Sequence, residues 1–324
     1  MPGGYGRNSF LGWAEESTWG TPVAASKFAE IVSEDLNLIR KRTPRNVVRA
    51  LDDREANFYD EKFGAEGSVT IEANYVGLLR LFEHAFGDSS GATTNPDPAV
   101  RWETTFTLQD ALKAGKGLSL HINTDVDNGS TPQRRYTGFK VNSLKFMFDP
   151  TKNAQIEIAG AAKDYAVIAA ASPTLPGLAT YVAGHQTIVQ IDTVTRKMDS
   201  VELTLDNGLD LDKRIMGSKS IDEPIRGDNR RRVFGTLKMD AIAADLAKFD
   251  AGTYFQLDVI ATGATLGSGN YKLQLTCLKC RLDGDPYHVK GPGVVKTDVP
   301  FVADLPTSGQ RLTLIIDNNE SAIA

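Results

Sequence analysis

Gly67-Ser-Val-Thr-Ile-Glu-Ala-Asn-Tyr-Val-Gly-Leu-Leu-Arg-Leu-Phe-Glu-His-Ala-Phe-Gly87 decides the fold, because the chain carries the same pattern twice. Without gaps, Gly67 to Asn74 lies over Gly235 to Ile242, Leu78 over Leu246 and Leu81 over Phe249. Each copy opens as an alternating strand, with Val69 and Ile71, or Leu237 and Met239, on one face. Ser68, Thr70 and Glu72, or Thr236, Lys238 and Asp240, point the other way. Val76, Leu79, Phe82 and Phe86 then recur at helical spacing, with Leu78, Leu81 and Ala85 widening the stripe. Asn74 is expected as the N-cap and Gly87 at C′, with Gly252 closing the second helix in the same way. One strand and one helix cannot bury their own apolar face, so each copy must pack on a sheet from its own half. The expected fold is mainly β: two tandem β-sandwich or barrel units, each with one short flanking α-helix.

A second stretch supports the duplication. Phe139 to Asp149 lies over Leu273 to Asp283, and in both the apolar positions begin odd and become even: Phe139, Val141, then Leu144, Phe146, Phe148; Leu273, Leu275, then Leu278, Cys280, Leu282. A phase slip in a period-two pattern predicts a β-bulge, one extra residue that re-aims every later side chain.

At 324 residues the chain exceeds usual single-domain size and has room for two cores. Apolar content of 41% and charged content of 24% exclude a disordered chain, and 29 Gly and 14 Pro among short alternating runs fit a β protein. A net charge of −5 argues against gripping nucleic acid by its phosphates. No apolar run approaches the ~18 residues of a membrane-spanning helix, and no basic-then-apolar leader opens the chain, so synthesis in a cytoplasm is expected.

Residues 1 to about 30 are irregular but aromatic, with Trp13 and Trp19 the candidates for an arm that anchors on another surface. Ile31, Leu36 and Leu38 open an alternating run whose counterpart is Val201, Leu203 and Leu205 before the Asn207-Gly208 turn. Long charge-rich connections follow both, through Lys62 and from Asp210 to Arg232; they are longer than a hairpin needs and read as loops that reach a neighbour. Extra strands between Asp88 and Arg135 have no match in the shorter second half. Ala171 to Gly177 is the best linker, giving a first unit with its arm over residues 1–170, a linker over 171–180 and a second unit over 181–324.

Chemistry is sparse. Cys277 and Cys280 are a single thiol pair with no second pair to complete a metal site. His84, His121, His185 and His288 stand in no ligand spacing, no nucleophile elbow or phosphate loop appears, and no carboxylate pair stands out, so no catalytic, cofactor or metal residue is assigned. Arg230, Arg231 and Arg232 form the densest basic cluster; with Asp222, Glu223 and Asp228 just before it, an inter-subunit salt-bridge loop is the expectation.

Glu16-Ser-Thr-Trp-Gly-Thr-Pro22 resembles the N-terminal signature of the tail tube proteins of long-tailed bacteriophages. The two strand-helix units, and Ser200 to Gly208 followed by Arg214-Ile-Met-Gly-Ser218, are similar to the same family over most of the chain. Duplication is the main departure, since many tail tube proteins have one such unit. The resemblance implies a structural, non-enzymatic virion protein that closes into stacked rings around a conduit for double-stranded DNA and meets other tail proteins at the tube ends. Three duplicated chains would make a pseudo-sixfold ring, favoured over a hexamer, and Glu72 and Asp240 are candidates for an acidic lumen wall. The alternative is a virion-associated carbohydrate- or receptor-binding β-sandwich, which needs an exposed aromatic platform.

Overall fold

A computed structural model describes residues 9–44, 58–88, 91–97, 100–110, 112–123, 133–169, 173–227, 230–240, 243–284 and 296–323. Residues 45–57 of the first long connection, Ala171 and Ser172 of the expected linker, and Asp228 and His288 lie outside these. The first half runs β1 (Phe10–Glu15), β2 (Lys27–Glu34), β3 (Asn37–Pro44), β4 (Phe58–Glu72), α1 (Leu79–Phe86), β5 (Gly91–Asp97), β6 (Arg101–Thr107), β7 (Leu118–Asn123), β8 (Gln133–Phe148), β9 (Gln155–Ala162) and β10 (Asp164–Ile168). After two short 3-10 turns come β11 (Thr187–Ile191), β12 (Val194–Arg196), β13 (Met198–Asp206), β14 (Arg232–Asp240), α2 (Ala243–Asp250), β15 (Phe255–Leu266), β16 (Gly269–Leu282), β17 (Lys296–Ala303) and β18 (Thr313–Asn318). The protein is mainly β, and its named strands pair antiparallel into one connected system.

β8 is the hinge of the architecture. Its first half carries the order β1–β7–β8–β10, and its second half lies in a wide sheet ordered β3–β4–β9–β8–β13–β14–β17. β16 holds the matching position later in the chain: β11–β15–β16–β18 on one side, and β17–β14–β13 on the other. β5 and β6, the extra material of the first half, attach to β18.

Both predicted phase slips are bulges, but they are not equivalent ones. β8 slips against β9 between Val141 and Ser143, and β16 slips against β15 between Cys277 and Cys280. The partner of the β16 bulge is a second slip in β8, where Leu118 opposes Phe139 and Leu120 opposes Tyr136, as Phe255 opposes Cys280 and Leu257 opposes Cys277. Pairing therefore aligns Phe139 with Cys280 instead of Leu273. An alternating pattern fixes which face a residue takes and leaves its position along the strand open, and a bulge absorbs the odd offset. Gly67 and Gly235 each sit against a carbonyl of a neighbouring strand or turn. A Cβ on Gly67 would fall 1.8 Å from the Asp35 carbonyl oxygen, and one on Gly235 would fall 1.9 Å from that of Glu202.

α1 begins at Leu79, later than expected, and Leu78, its N-cap, makes no side-chain capping bond. Asn74 instead accepts the Val76 N–H at 2.9 Å, turning the chain one step earlier. Gly87 closes the helix with its N–H on the Glu83 carbonyl, and Gly252, at φ 60°, closes α2 with bonds from Gly252 and Thr253 to Phe249 and Lys248. Phe82 and Phe86 bury against Phe106, and one hydrophobic core continues through both halves. Tyr75 stacks on Tyr271 at 5.6 Å, the segment around Val182 bonds to Ala73 and Ala154, and the described residues of the expected linker, Leu178 among them, lie mostly exposed.

Candidate assembly surface

Alternation along the wide sheet sends Val69, Ile156, Phe146, Leu203, Leu237 and Phe301 into the core. The opposite face is polar, and register partners form unbroken rows across it: Thr70, Glu157, Lys145, Thr204, Phe234 and Val302 face one another in turn. Glu72 and Asp240 both stand on this face. By register Glu66, Glu157, Glu202, Asp206 and Asp298 share it with Lys140, Lys145, Arg232, Lys238, Arg281 and Lys296, so acid and base nearly balance there. Glu72 accepts a hydrogen bond from Asn153 at 3.0 Å, and Lys238 approaches Asp298 at 4.0 Å.

The two halves join within this sheet. β13 lies against β8 with Leu205 opposite Leu144 and Leu203 opposite Phe146, and Lys145 pairs with Glu202 at 2.7 Å across the seam. In the first half, the strand corresponding to β13 is the end of β2 with the start of β3. Glu34 opposes Val69 as Val201 opposes Leu237, and Asn37 opposes Glu66 as Thr204 opposes Phe234. No strand covers its outer edge among the described residues. Leu38 there is 36% exposed, whereas its counterpart Leu205 is 0% exposed.

The long connection after β13 turns back onto its own chain. Ile221, 2% exposed, donates its N–H to the Phe63 carbonyl, Ser220 bridges to Phe63, and Glu223 pairs with Lys140 at 2.7 Å. Its tip, Ile215 and Met216, is left exposed. Of the predicted arginines, Arg230 and Arg232 are exposed, while Arg231 turns inward: Nε donates to Asn207 at 2.7 Å and Nη1 to the Gln109 carbonyl at 2.8 Å. Burial, followed by the neighbouring Arg226, brings the Arg231 guanidinium down to about 9. These arginines border a pocket of about 810 Å³ that reaches Arg281, Pro300 and Arg311.

Trp13 and Trp19, expected as anchors for another surface, both pack on their own chain. Trp13 is 1% exposed within β1; Trp19 donates from Nε1 to the Gly138 carbonyl at 2.9 Å and lies under Lys163. The sequence reading passed over Glu16. Fully buried, it accepts from Ser119 at 2.8 Å, Gly138 N–H at 2.7 Å and Gly20 N–H at 2.7 Å, pinning the turn that Trp19 fills. Next to it, Glu15 meets Lys113 at 2.6 Å, and Arg80 and His84 each at 3.2 Å. Burial pushes the Glu15 carboxyl up, but hydrogen bonds from His84 and Lys113 and the charges of Lys113 and Arg80 outweigh it and hold it well below the usual carboxylate range. Burial pushes the His84 imidazole down against the opposing pull of Glu15.

Cys277 and Cys280 are both buried, because the bulge between them turns both inward, and their shared hydrogen bond and burial raise the Cys277 thiol. Among the described residues, no cluster of three or more His, Cys, Asp or Glu could hold a metal, and no helix is long and apolar enough to cross a membrane.

No curated protein sequence matches the chain. A family model described as phage tail tube protein matches residues 6–303, taking in the Glu16 turn, both strand-helix units and the seam between β8 and β13. The chain therefore belongs to the phage tail tube protein family, a structural component of the bacteriophage tail.

Proposed function

We propose that this chain is the repeating subunit of the tube: copies close into rings, rings stack, and double-stranded DNA passes through the lumen on ejection. The reading rests on one observation, the seam between β8 and β13. It joins two units with corresponding strand pairings, and the strand edge equivalent to β13 stands open at Glu34–Leu38. An open edge with exposed Val32 and Leu38 is a template for another strand, and a second copy continues the sheet as β8 continues it onto β13. The pairing correspondence supports a fused duplication, with units over 1–170 and 181–324 and a linker over 171–180. Three chains then close a pseudo-sixfold ring, and stacking of rings repeats one heterologous contact along an axis.

The mechanism is electrostatic. DNA carries one charge per ~1.7 Å of axis, and a basic wall would bind it through counterion release. Turning the polar face inward lines the lumen with Glu72, Glu157, Glu202, Asp240 and Asp298 interspersed with Lys145, Lys238 and Arg281, so the wall has no basic excess to hold the phosphates and the DNA slides. Other tail proteins cap the tube ends, and the product, made in the host cytoplasm, ends in the virion. The carbohydrate-binding alternative loses its platform, since Trp13 is buried and Trp19 is covered. Negative-stain microscopy and native mass measurement of the purified chain test the proposal. Rings with the mass of three chains are expected; a species that stays monomeric at hundreds of micromolar overturns it, and a six-chain ring overturns the stoichiometry.

A further inference from the structure

Four arginines converge on a second pocket, of about 400 Å³, where three connections of the chain meet. Arg226, Arg230 and Arg231 come from the connection before β14, Asp110 from the one between β6 and β7, and Arg311 from the one before β18. Asp110 is the single carboxylate in that lining, and it is exposed. Guanidinium groups gathered in this way repel one another, and taking them partly out of water adds a desolvation cost, unless something offsets both.

The chain's own groups do not offset them. Arg226 Nη2 donates to the Gln109 carbonyl at 3.1 Å, the same oxygen that accepts from Arg231, and Arg311 Nη1 donates to the Arg231 carbonyl at 2.6 Å. With the Asn207 amide oxygen, every one of these acceptors is neutral. No ion pair joins any of the four arginines to a carboxylate among the described residues. Arg226 Nε, Arg231 Nη2 and Arg311 Nε are buried without a hydrogen-bond partner. Burial lowers the Arg231 guanidinium most, and the charges of Arg226 and Arg311 lower it further against the pull of Asp110. The neighbouring pocket of about 810 Å³ differs, because its Arg281 meets Asp304 at 3.3 Å and Asp283 at 3.7 Å.

We propose that this pocket binds an oxyanion of the phosphate class, gripped by Arg226, Arg230 and Arg311 with Arg231 adding its charge. A guanidinium presents its N–H groups as a planar fork that matches phosphate oxygens two at a time. A phosphate offers four oxygens and up to two negative charges to several forks at once, whereas a carboxylate offers two oxygens and one charge. The volume falls at the small end of the ~300–1,000 Å³ usual for ligand pockets, which suits a compact anion. Bound there, the anion ties the connection between β6 and β7 to those before β14 and β18. The site lies within one chain, so the inference is independent of ring formation. Free phosphate and a nucleic-acid backbone carry the same group, and the test separates them.

Calorimetric titration of the full chain with inorganic phosphate, at constant ionic strength set by sodium chloride, tests this. Saturable binding at one site per chain is expected, with acetate binding far more weakly. Arg226→Gln and Arg311→Gln are each expected to weaken phosphate binding by roughly tenfold or more, the expected loss of a charged hydrogen-bonding group. Asp110→Asn is expected to tighten it, a gain that a folding defect cannot mimic. A short DNA duplex that displaces phosphate from the wild-type chain assigns the group to a nucleic-acid backbone; a duplex that leaves it bound assigns it to the free anion. A wild-type chain that binds no phosphate, arginine variants that bind it as tightly as wild type, or acetate that binds as well as phosphate overturns the site. Binding that appears only in Asp228→Asn overturns it too, since that carboxylate would then be the anion the arginines serve. None of these outcomes bears on ring formation, which is read from assembled mass.

Discussion

Leu38→Lys puts a charge on the open edge at the position where the internal seam holds Leu205. Taking Leu38 from 36% exposed to the 0% of Leu205 removes about 60 Å² from water, which at about 25 cal/mol per Å² contributes roughly 1.5 kcal/mol to each new seam. Lysine forfeits that term, and its ammonium must either leave the seam or be desolvated in it. Edge lysines are a common natural block on strand addition for this reason. A loss of about 3 kcal/mol per seam corresponds to roughly a hundredfold weaker association. Within the monomer Leu38 is about a third exposed and a lysine stem can cover the same surface with its ammonium in water, so stability should change by less than about 1 kcal/mol. Sedimentation velocity across a concentration series, paired with urea denaturation of the dilute chain, separates the two effects. A Leu38→Lys chain that assembles at the wild-type concentration would refute the open-edge argument. A large loss of monomer stability would also refute it, because the edge would then already be covered.

Other perturbations probe the scaffold beneath that surface. Gly235→Ala drives a methyl into the Glu202 carbonyl beside the seam and should cost 1–3 kcal/mol or more by urea denaturation, as should Gly67→Ala against Asp35. Acid should act in two stages. His84 has a lowered folded-state value, so the stability it lends is present above the unfolded value of about 6.5 and lost as pH falls below it; Glu15, also lowered, holds its share until pH drops below about 4.3. His84→Gln should flatten the first stage, between pH 7.5 and about 5, in urea midpoints, and also alter the second through its lost bond to Glu15. Asn207→Ala removes bonds to the Ala85 and Val141 carbonyls and to Arg231 in a fully buried site, and should cost about 2–3 kcal/mol with a matching fall in melting temperature.

Much of the fold was readable in period and punctuation. The Gly67 and Gly235 strands read correctly because a glycine followed by clean alternation marks both phase and position, and the structure shows a neighbouring carbonyl forbidding any Cβ there. The helix closures at Gly87 and Gly252 read correctly for the same kind of reason: a carbonyl-capping N–H at a backbone few other residues adopt. The alignment of Phe139 with Leu273 failed where no such marker exists, since alternating Leu, Phe and Cys look alike two residues along. Glu16 was missed because a buried carboxylate inside a turn has no periodicity; its bonds to Ser119, Gly138 and Gly20 join residues more than a hundred positions apart in two cases. The aromatic arm left two readings open, an anchor on another surface or a segment folded back on its own domain, for a related reason. Irregular spacing signals that a segment belongs to no strand face, and says nothing about whose surface it packs on.

That last distinction carries over to the long charged connections. The stretch Asp210 to Arg232 has the composition of a loop reaching for a neighbour, and its residues Lys219 to Glu223 meet Phe63 of β4 and Lys140 of β8 in their own chain. On the proposal that the chain is two fused units, half of the contacts between units become contacts within a chain, without changing the residues that make them. The surviving half should then be found where a covered feature in one unit has an uncovered counterpart in the other. Leu205 against Leu38 is such a pair on the wide sheet, and the arginine-lined pocket at Arg281 borders the same sheet. Leu38 and that pocket fall at opposite ends of its strand order, β2 with β3 at one end and β17 with β16 at the other. A head-to-tail contact needs its two half-sites at opposite ends, and a two-fold dimer would need them to be self-complementary. An exposed leucine edge and an arginine-lined pocket are not self-complementary, so on the proposed assembly the pairing of copies is directional, and a directional contact that repeats closes into a ring or runs on as a filament.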